Sequence, residues 1–82
     1  MNRTEILAKL EEIFKDLLDE DDFTLSESDS SETIREWDSL FHITLVASVE
    51  DEFKIRLATA DIAGAKDVGA LIDIIEKELS QK

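Results

Sequence analysis

Apolar residues return every three or four positions in separate stretches of this chain, and a helix is the backbone that gathers such residues on one side. The first stretch runs from about Arg3 to Leu18, with Ile6, Leu7, Leu10, Ile13, Phe14, Leu17 and Leu18 in one stripe and Lys9, Glu12 and Asp16 off it. Asn2 or Thr4 stands where a cap is needed, and the Asn2 to Glu5 spacing resembles a capping box. The last stretch follows Asp67, a cap residue, and carries Val68, Leu71, Ile72, Ile75 and Leu79.

The middle stretch is less simple. It starts at Asp38, a good N-cap, and runs to about Phe53 or Lys54. On a helical wheel Leu45, Val46, Val49 and Phe53 share a face with His42, while Leu40, Ile43 and Ala47 form a neighbouring face bordered by Thr44, Glu50 and Asp51. Two apolar faces mean either a core contact plus a partner contact or a helix packed inward on both sides. Between Leu57 and Ala65 there is room for one or two helical turns, with Gly64 a plausible stop.

From Asp19 to Glu36 periodicity disappears into an acidic, serine-rich run. That composition suits a disordered linker, yet Phe23, Leu25 and Ile34 are spaced to pin the segment to a core, so an ordered loop is expected. A calcium-loop reading of Asp19–Asp29 fails, because such a loop needs glycine at its sixth position and no glycine precedes Gly64. The expected architecture is all-α, with three main helices, one short helix and a long first loop.

These elements have to make one domain, residues 1–82, because a chain of 82 residues cannot build a second core. A domain this small buries only about 60% of its unfolded surface. With no cysteine there are neither disulfides nor thiolate metal sites, so stability rests on regular helix packing. The balance of 21 acidic to 9 basic residues, a net charge of −12, argues against nucleic acid and anionic membranes as partners and favours basic protein surfaces. No apolar run approaches the ~20 residues of a membrane span and the amino terminus lacks a signal-peptide core, so a cytoplasmic location is expected.

The stretch that carries chemistry is Glu36-Trp37-Asp38-Ser39-Leu40-Phe41-His42-Ile43. Ser39, directly after the cap, falls in the first helical turn, where unpaired N–H groups and the helix dipole favour an anion. A phosphodiester on its hydroxyl would be well placed there. Asp38 caps the backbone and is suited to help hold a divalent ion during phosphate transfer. An Asp-Ser helix start is also common in proteins where it does no more than begin a helix.

Position in the chain adds to that reading. The sequence resembles the acyl carrier protein family, whose signature is Asp-Ser-Leu at the start of the second helix of a four-helix bundle. The resemblance spans nearly the whole chain: the amphipathic first helix, the long loop, Asp38-Ser39-Leu40, the acidic stretch Val49-Glu50-Asp51-Glu52-Phe53 and the final helix from Val68. It implies that Ser39, flanked by Asp38 and Leu40, carries 4′-phosphopantetheine derived from coenzyme A. Acyl groups would ride on that arm as thioesters, and the domain would have no catalytic residue or metal of its own. It further implies a monomer served by a phosphopantetheinyl transferase and by acyl-activating and acyl-transferring enzymes with basic docking surfaces. Fatty-acid-like, polyketide or other specialised biosynthesis fits such a carrier. A chain without cysteine has to import its thiol, and a group-carrying cofactor does so.

The partner face is expected to comprise Leu40, Phe41, Ile43, Thr44, Ala47, Glu50 and Asp51, all within about three turns of Ser39. Phe41 and Thr44 stand where fatty-acid carriers often have acids, and Leu57-Ala58-Thr59-Ala60 lacks the proline and acids that commonly open the third helix. Trp37 replaces a usual small residue and predicts a bulkier approach to Ser39. A peptidyl or aminoacyl carrier is the nearest alternative, although those often have glycines before the serine.

Two readings from other classes remain. A hydrolytic enzyme would need a base beside Ser39 and an oxyanion hole. His42 lies one turn away, but no Gly-x-Ser-x-Gly turn is present and its apolar face predicts packing against the core instead. An acidic helical adaptor without cofactor, with Ser26–Glu32 as kinase sites, would function without Ser39.

Overall fold

The computed structural model describes residues 2–65 and 67–81. Four α-helices follow in order: α1 (Arg3–Leu18), α2 (Ser39–Phe53), α3 (Thr59–Ala63) and α4 (Val68–Ser80). No strand occurs among the described residues, and an isolated antiparallel bridge joins Ser30 to Asp67.

Each long helix begins where a side chain can take over an orphan amide. Asn2 Oδ1 accepts from the Glu5 N–H at 2.9 Å while Glu5 Oε1 accepts from the Asn2 N–H at 3.2 Å, a complete capping box. Asp38 Oδ1 accepts from the Phe41 N–H at 2.9 Å, and Asp67 Oδ1 from the Ala70 N–H at 2.8 Å. Helices α1 and α2 end on the left-handed residues Asp19 and Lys54, both at φ 55°. Helix α3 is a single short turn closed by the Gly64 N–H, which donates to the carbonyls of Asp61 and Ile62.

The stripes meet in one core. Helix α1 contributes Ile6, Leu10, Ile13 and Phe14, α2 contributes Leu45, Val49 and Phe53, and α4 contributes Val68, Leu71, Ile72 and Ile75. Ile55, Leu57 and Ile62 close it from the α2–α4 connection. The first loop adds Leu25, Ile34 and Trp37, and Phe23 stacks on Phe14 with ring centroids 5.9 Å apart. Among the described residues no buried side-chain polar atom lacks a partner.

The acidic, serine-rich loop is ordered because its polar groups bond one another. The Asp29 carboxylate accepts from the Ser26 N–H at 2.8 Å and the Thr33 hydroxyl at 2.9 Å. Thr33 Oγ1 accepts from the Ser30 N–H at 2.9 Å, and Ser30 Oγ from the Glu32 N–H at 3.1 Å. Glu11 Oε2 on α1 holds the Leu25 N–H at 3.0 Å. The loop also finishes α4: the carbonyls of Asp29 and Glu27 each accept at 2.9 Å, from the Val68 and Gly69 N–H groups respectively.

Arg3 joins three distant segments. Its guanidinium bonds Glu27 in the loop at 2.6 Å and Glu76 on α4 at 2.7 Å, and it also contacts Asp73. Hydrogen bonds to Glu27 first, then to Asp73 and Glu76, hold the Arg3 guanidinium protonated well beyond its ordinary value.

Candidate functional site

The site forms where the loop hands over to α2. Ile34 is buried and accepts the Trp37 N–H through its carbonyl at 3.1 Å, so the chain turns inward just before the cap. Trp37 follows it into the core and is only 7% exposed, its ring meeting Phe14 edge-on at 5.4 Å. The bulky approach to Ser39 expected from Trp37 is therefore not what the fold builds. The indole is drawn inward because burying it against Phe14 removes a large apolar surface from water.

Ser39 is the first residue of α2, and it is exposed. Asp38 takes the third amide of the helix, at Phe41, and among the described residues the N–H groups of Ser39 and Leu40 and the Ser39 hydroxyl have no partner. At α4 the corresponding amides of Val68 and Gly69 are covered by loop carbonyls. The start of α2 thus presents a primary hydroxyl beside open donors at the positive end of a 15-residue helix.

His42, one turn on, is half-buried. Its Nδ1 accepts from the Trp37 Nε1–H at 3.0 Å and its ring stacks on the indole, 6.1 Å between centroids and 20° between planes. An indole nitrogen can only donate, so the imidazole proton sits on Nε2. Neither ring nitrogen is then free to take a proton from Ser39, which removes the base that a serine hydrolase needs.

Beside Ser39 lies an open cleft of about 910 Å³. Its loop side is formed by Ser28, Ser30, Ser31 and Glu32, its α2 side by Trp37, Asp38, His42 and Ile43, and its far end by Ile62, Ala63 and Ala65.

The seven residues expected to form a partner face do not share one environment. Leu40 is 76% and Ile43 67% exposed, and Thr44, Ala47 and Asp51 are also exposed. Phe41 is half-buried, its ring 5.5 Å from that of Phe14. Glu50 is half-buried as well, and its Oε2 accepts from the Leu57 N–H at 2.9 Å, so it ties down the α2–α3 connection. The open patch next to Ser39 is Leu40 and Ile43, with Asp51 further along the helix. Sequence reasoning missed the roles of Glu50 and Arg3, whose partners lie in other segments. No group of acidic or histidine side chains suited to a metal occurs among the described residues, and no described helix is long and apolar enough to cross a membrane.

Comparison with known proteins places this geometry. The chain is similar to the holo acyl carrier protein of Geobacter metallireducens, solved by solution NMR, with 36% identity, 92% of this chain and 86% of that chain covered, and a TM-score of 0.84. It is also similar to the acyl carrier protein of Thermotoga maritima, a crystal structure at 2.00 Å, with 33% identity, 99% and 94% coverage, and a TM-score of 0.86. No protein-family model and no curated protein matches the chain.

Proposed function

The chain belongs to the acyl carrier protein family and is a carrier rather than an enzyme, and from that premise we propose that Ser39 bears a 4′-phosphopantetheine arm on which acyl groups travel as thioesters. The observation that carries the proposal is the exposed, unbonded Ser39 hydroxyl at the open start of α2. The residues present suit the group. The unpartnered amides of Ser39 and Leu40 offer donors to a phosphodiester, the helix end favours its negative charge, and the neighbouring cleft gives room for an arm. When bound, the arm supplies the thiol that a chain without cysteine lacks.

This chain's own residues position rather than react. Asp38 caps α2 and sets the orientation of its first turn, so Ser39 is held on a rigid element. The partners are a phosphopantetheinyl transferase and acyl-activating and acyl-transferring enzymes. The net charge of −12 steers basic surfaces toward the domain, and Leu40 and Ile43 offer an apolar contact beside the serine. Biosynthesis of fatty-acid-like, polyketide or related products is the setting that uses such a carrier.

The test is incubation with coenzyme A, magnesium and a broad-specificity phosphopantetheinyl transferase, read by intact mass. One phosphopantetheine should be added to the wild-type chain and none to Ser39→Ala. Addition to the mutant would place the arm elsewhere.

A further inference from the structure

We infer that the cleft beside Ser39 receives short acyl groups bearing hydroxyl or amide functions, and that long alkyl chains are not drawn into this bundle. The inference rests on the arm-bearing role of Ser39 and adds the class of the cargo.

The lining of the cleft mixes polar and apolar groups. Ser28, Ser30 and Ser31 line its loop side, the Ser28 hydroxyl paired with that of Ser26 and the Ser30 hydroxyl accepting from the Glu32 N–H. Among the described residues the Ser31 hydroxyl and the Glu32 carboxylate have no partner, so both can turn to a ligand. Across from them His42 has its Nδ1 engaged by Trp37, which leaves Nε2–H as a donor on a ring held in place by stacking. Carboxylates of Glu32, Asp38 and Asp67 border the space and disfavour a cargo with its own free carboxylate.

The same cleft offers an alkyl chain a surface contact but no way inward. Its apolar lining is Ile43, Ile62, two alanines and the edge of Trp37. None of the fully buried side chains, such as Phe14, Leu45 or Leu71, lines it, so it stops above the core. The interior behind Trp37 is filled: the Phe14 ring meets Phe23 at 5.9 Å, Trp37 at 5.4 Å and Phe41 at 5.5 Å. A long chain entering there would have to displace one of these rings from close packing. A short hydroxylated group needs no such opening, because it exchanges water for the hydroxyls and imidazole already at the surface.

The experiment loads the whole chain from two coenzyme A thioesters, 3-hydroxybutyryl and octanoyl, with the same transferase. Mass spectrometry confirms each load, and NMR and thermal unfolding compare both with the unacylated holo form. 3-Hydroxybutyryl should shift the amides of residues 28–32 and the side-chain signals of Trp37 and His42. Octanoyl should leave the buried methyl signals of Leu45 and Leu71 and the unfolding temperature unchanged. Failure to gain mass would remove the Ser39 reading and this one with it. Normal loading with unmoved cleft signals, with equal cleft shifts from both cargoes, or with octanoyl stabilising the fold or moving the core methyls, would overturn this inference alone.

Discussion

The indole of Trp37 donates its Nε1–H to Nδ1 of His42 at 3.0 Å while the two rings stack, so the one tryptophan and the one histidine of the chain form a single unit next to Ser39. That bond satisfies a buried donor, and losing the acceptor leaves the indole N–H unpaired. His42→Ala should cost roughly 1–3 kcal/mol in urea unfolding followed by Trp37 fluorescence. Phosphopantetheine loading of the folded mutant should proceed at the wild-type rate. A well-folded mutant that no longer loads would give His42 a part in the loading step that its geometry does not predict.

Arg3 faces Glu27, Asp73 and Glu76 at once, and in a chain of net charge −12 these acids repel one another without it. Arg3→Gln should lower the melting temperature, and more so at low than at high ionic strength, because the pairs are partly exposed and screened by salt. The sign with pH follows from the raised folded value. On the side of the guanidinium the contribution is complete below the ordinary arginine value and fades only above it, so the mutant's deficit should not change across the physiological range. A deficit independent of salt would show that Arg3 acts through packing instead.

Gly69 lets the loop come close to α4. A Cβ built there would lie 3.3 Å from the Glu27 carbonyl oxygen, which also accepts the Gly69 N–H at 2.9 Å. Gly69→Val should therefore push the loop away and destabilise by about 1–3 kcal/mol. Hydrogen exchange of the residue 68 and 69 amides should accelerate more than that of the α1 amides. Unchanged protection would mean that the loop absorbs the added methyls.

Neighbouring residues of α2 should separate cleanly. Phe41 is packed on Phe14, whereas Leu40 is 76% exposed. Phe41→Asp should lose roughly 2–4 kcal/mol of stability, through lost packing and a carboxylate facing the core edge. Leu40→Asp should leave stability within about 0.5 kcal/mol of wild type while slowing transferase loading. Equal melting of the two variants would contradict the split, and unimpaired loading of Leu40→Asp would remove Leu40 from the contact surface.

Lys54 ends α2 in the left-handed region at φ 55°, a conformation that costs residues with a Cβ about 1–2 kcal/mol. Lys54→Gly should raise stability by about 0.5–1 kcal/mol, since the exposed lysine gives up little and glycine's extra unfolded freedom offsets part of the gain. The urea midpoint with an unchanged slope measures it.

What the sequence by itself determined are the features written within a few residues. The bounds of α1, α2 and α4 follow from three- and four-residue apolar spacing, and their starts from Asn2, Asp38 and Asp67, whose side chains reach amides three positions on. The place of Ser39 in the first turn of α2 is a consequence of Asp38 and needs nothing else. Tertiary structure decided what depends on segments far apart in the chain. The helical wheel left open whether both apolar faces of α2 pack inward, and only the tertiary fold buried Leu45, Val49 and Phe53, put Phe41 on Phe14 and left Leu40 and Ile43 outside. Trp37 reads locally as an obstruction before Ser39, yet it turns inward because Phe14 lies beneath it. Glu50 reads as a rim acid until the chain doubles back and brings the Leu57 amide to it, and Arg3 meets acids 24, 70 and 73 positions away. Local hydrogen bonds and periodicity act over one helical turn, whereas these choices are made by apolar surface and charge brought together only when the loop and α4 close on α1.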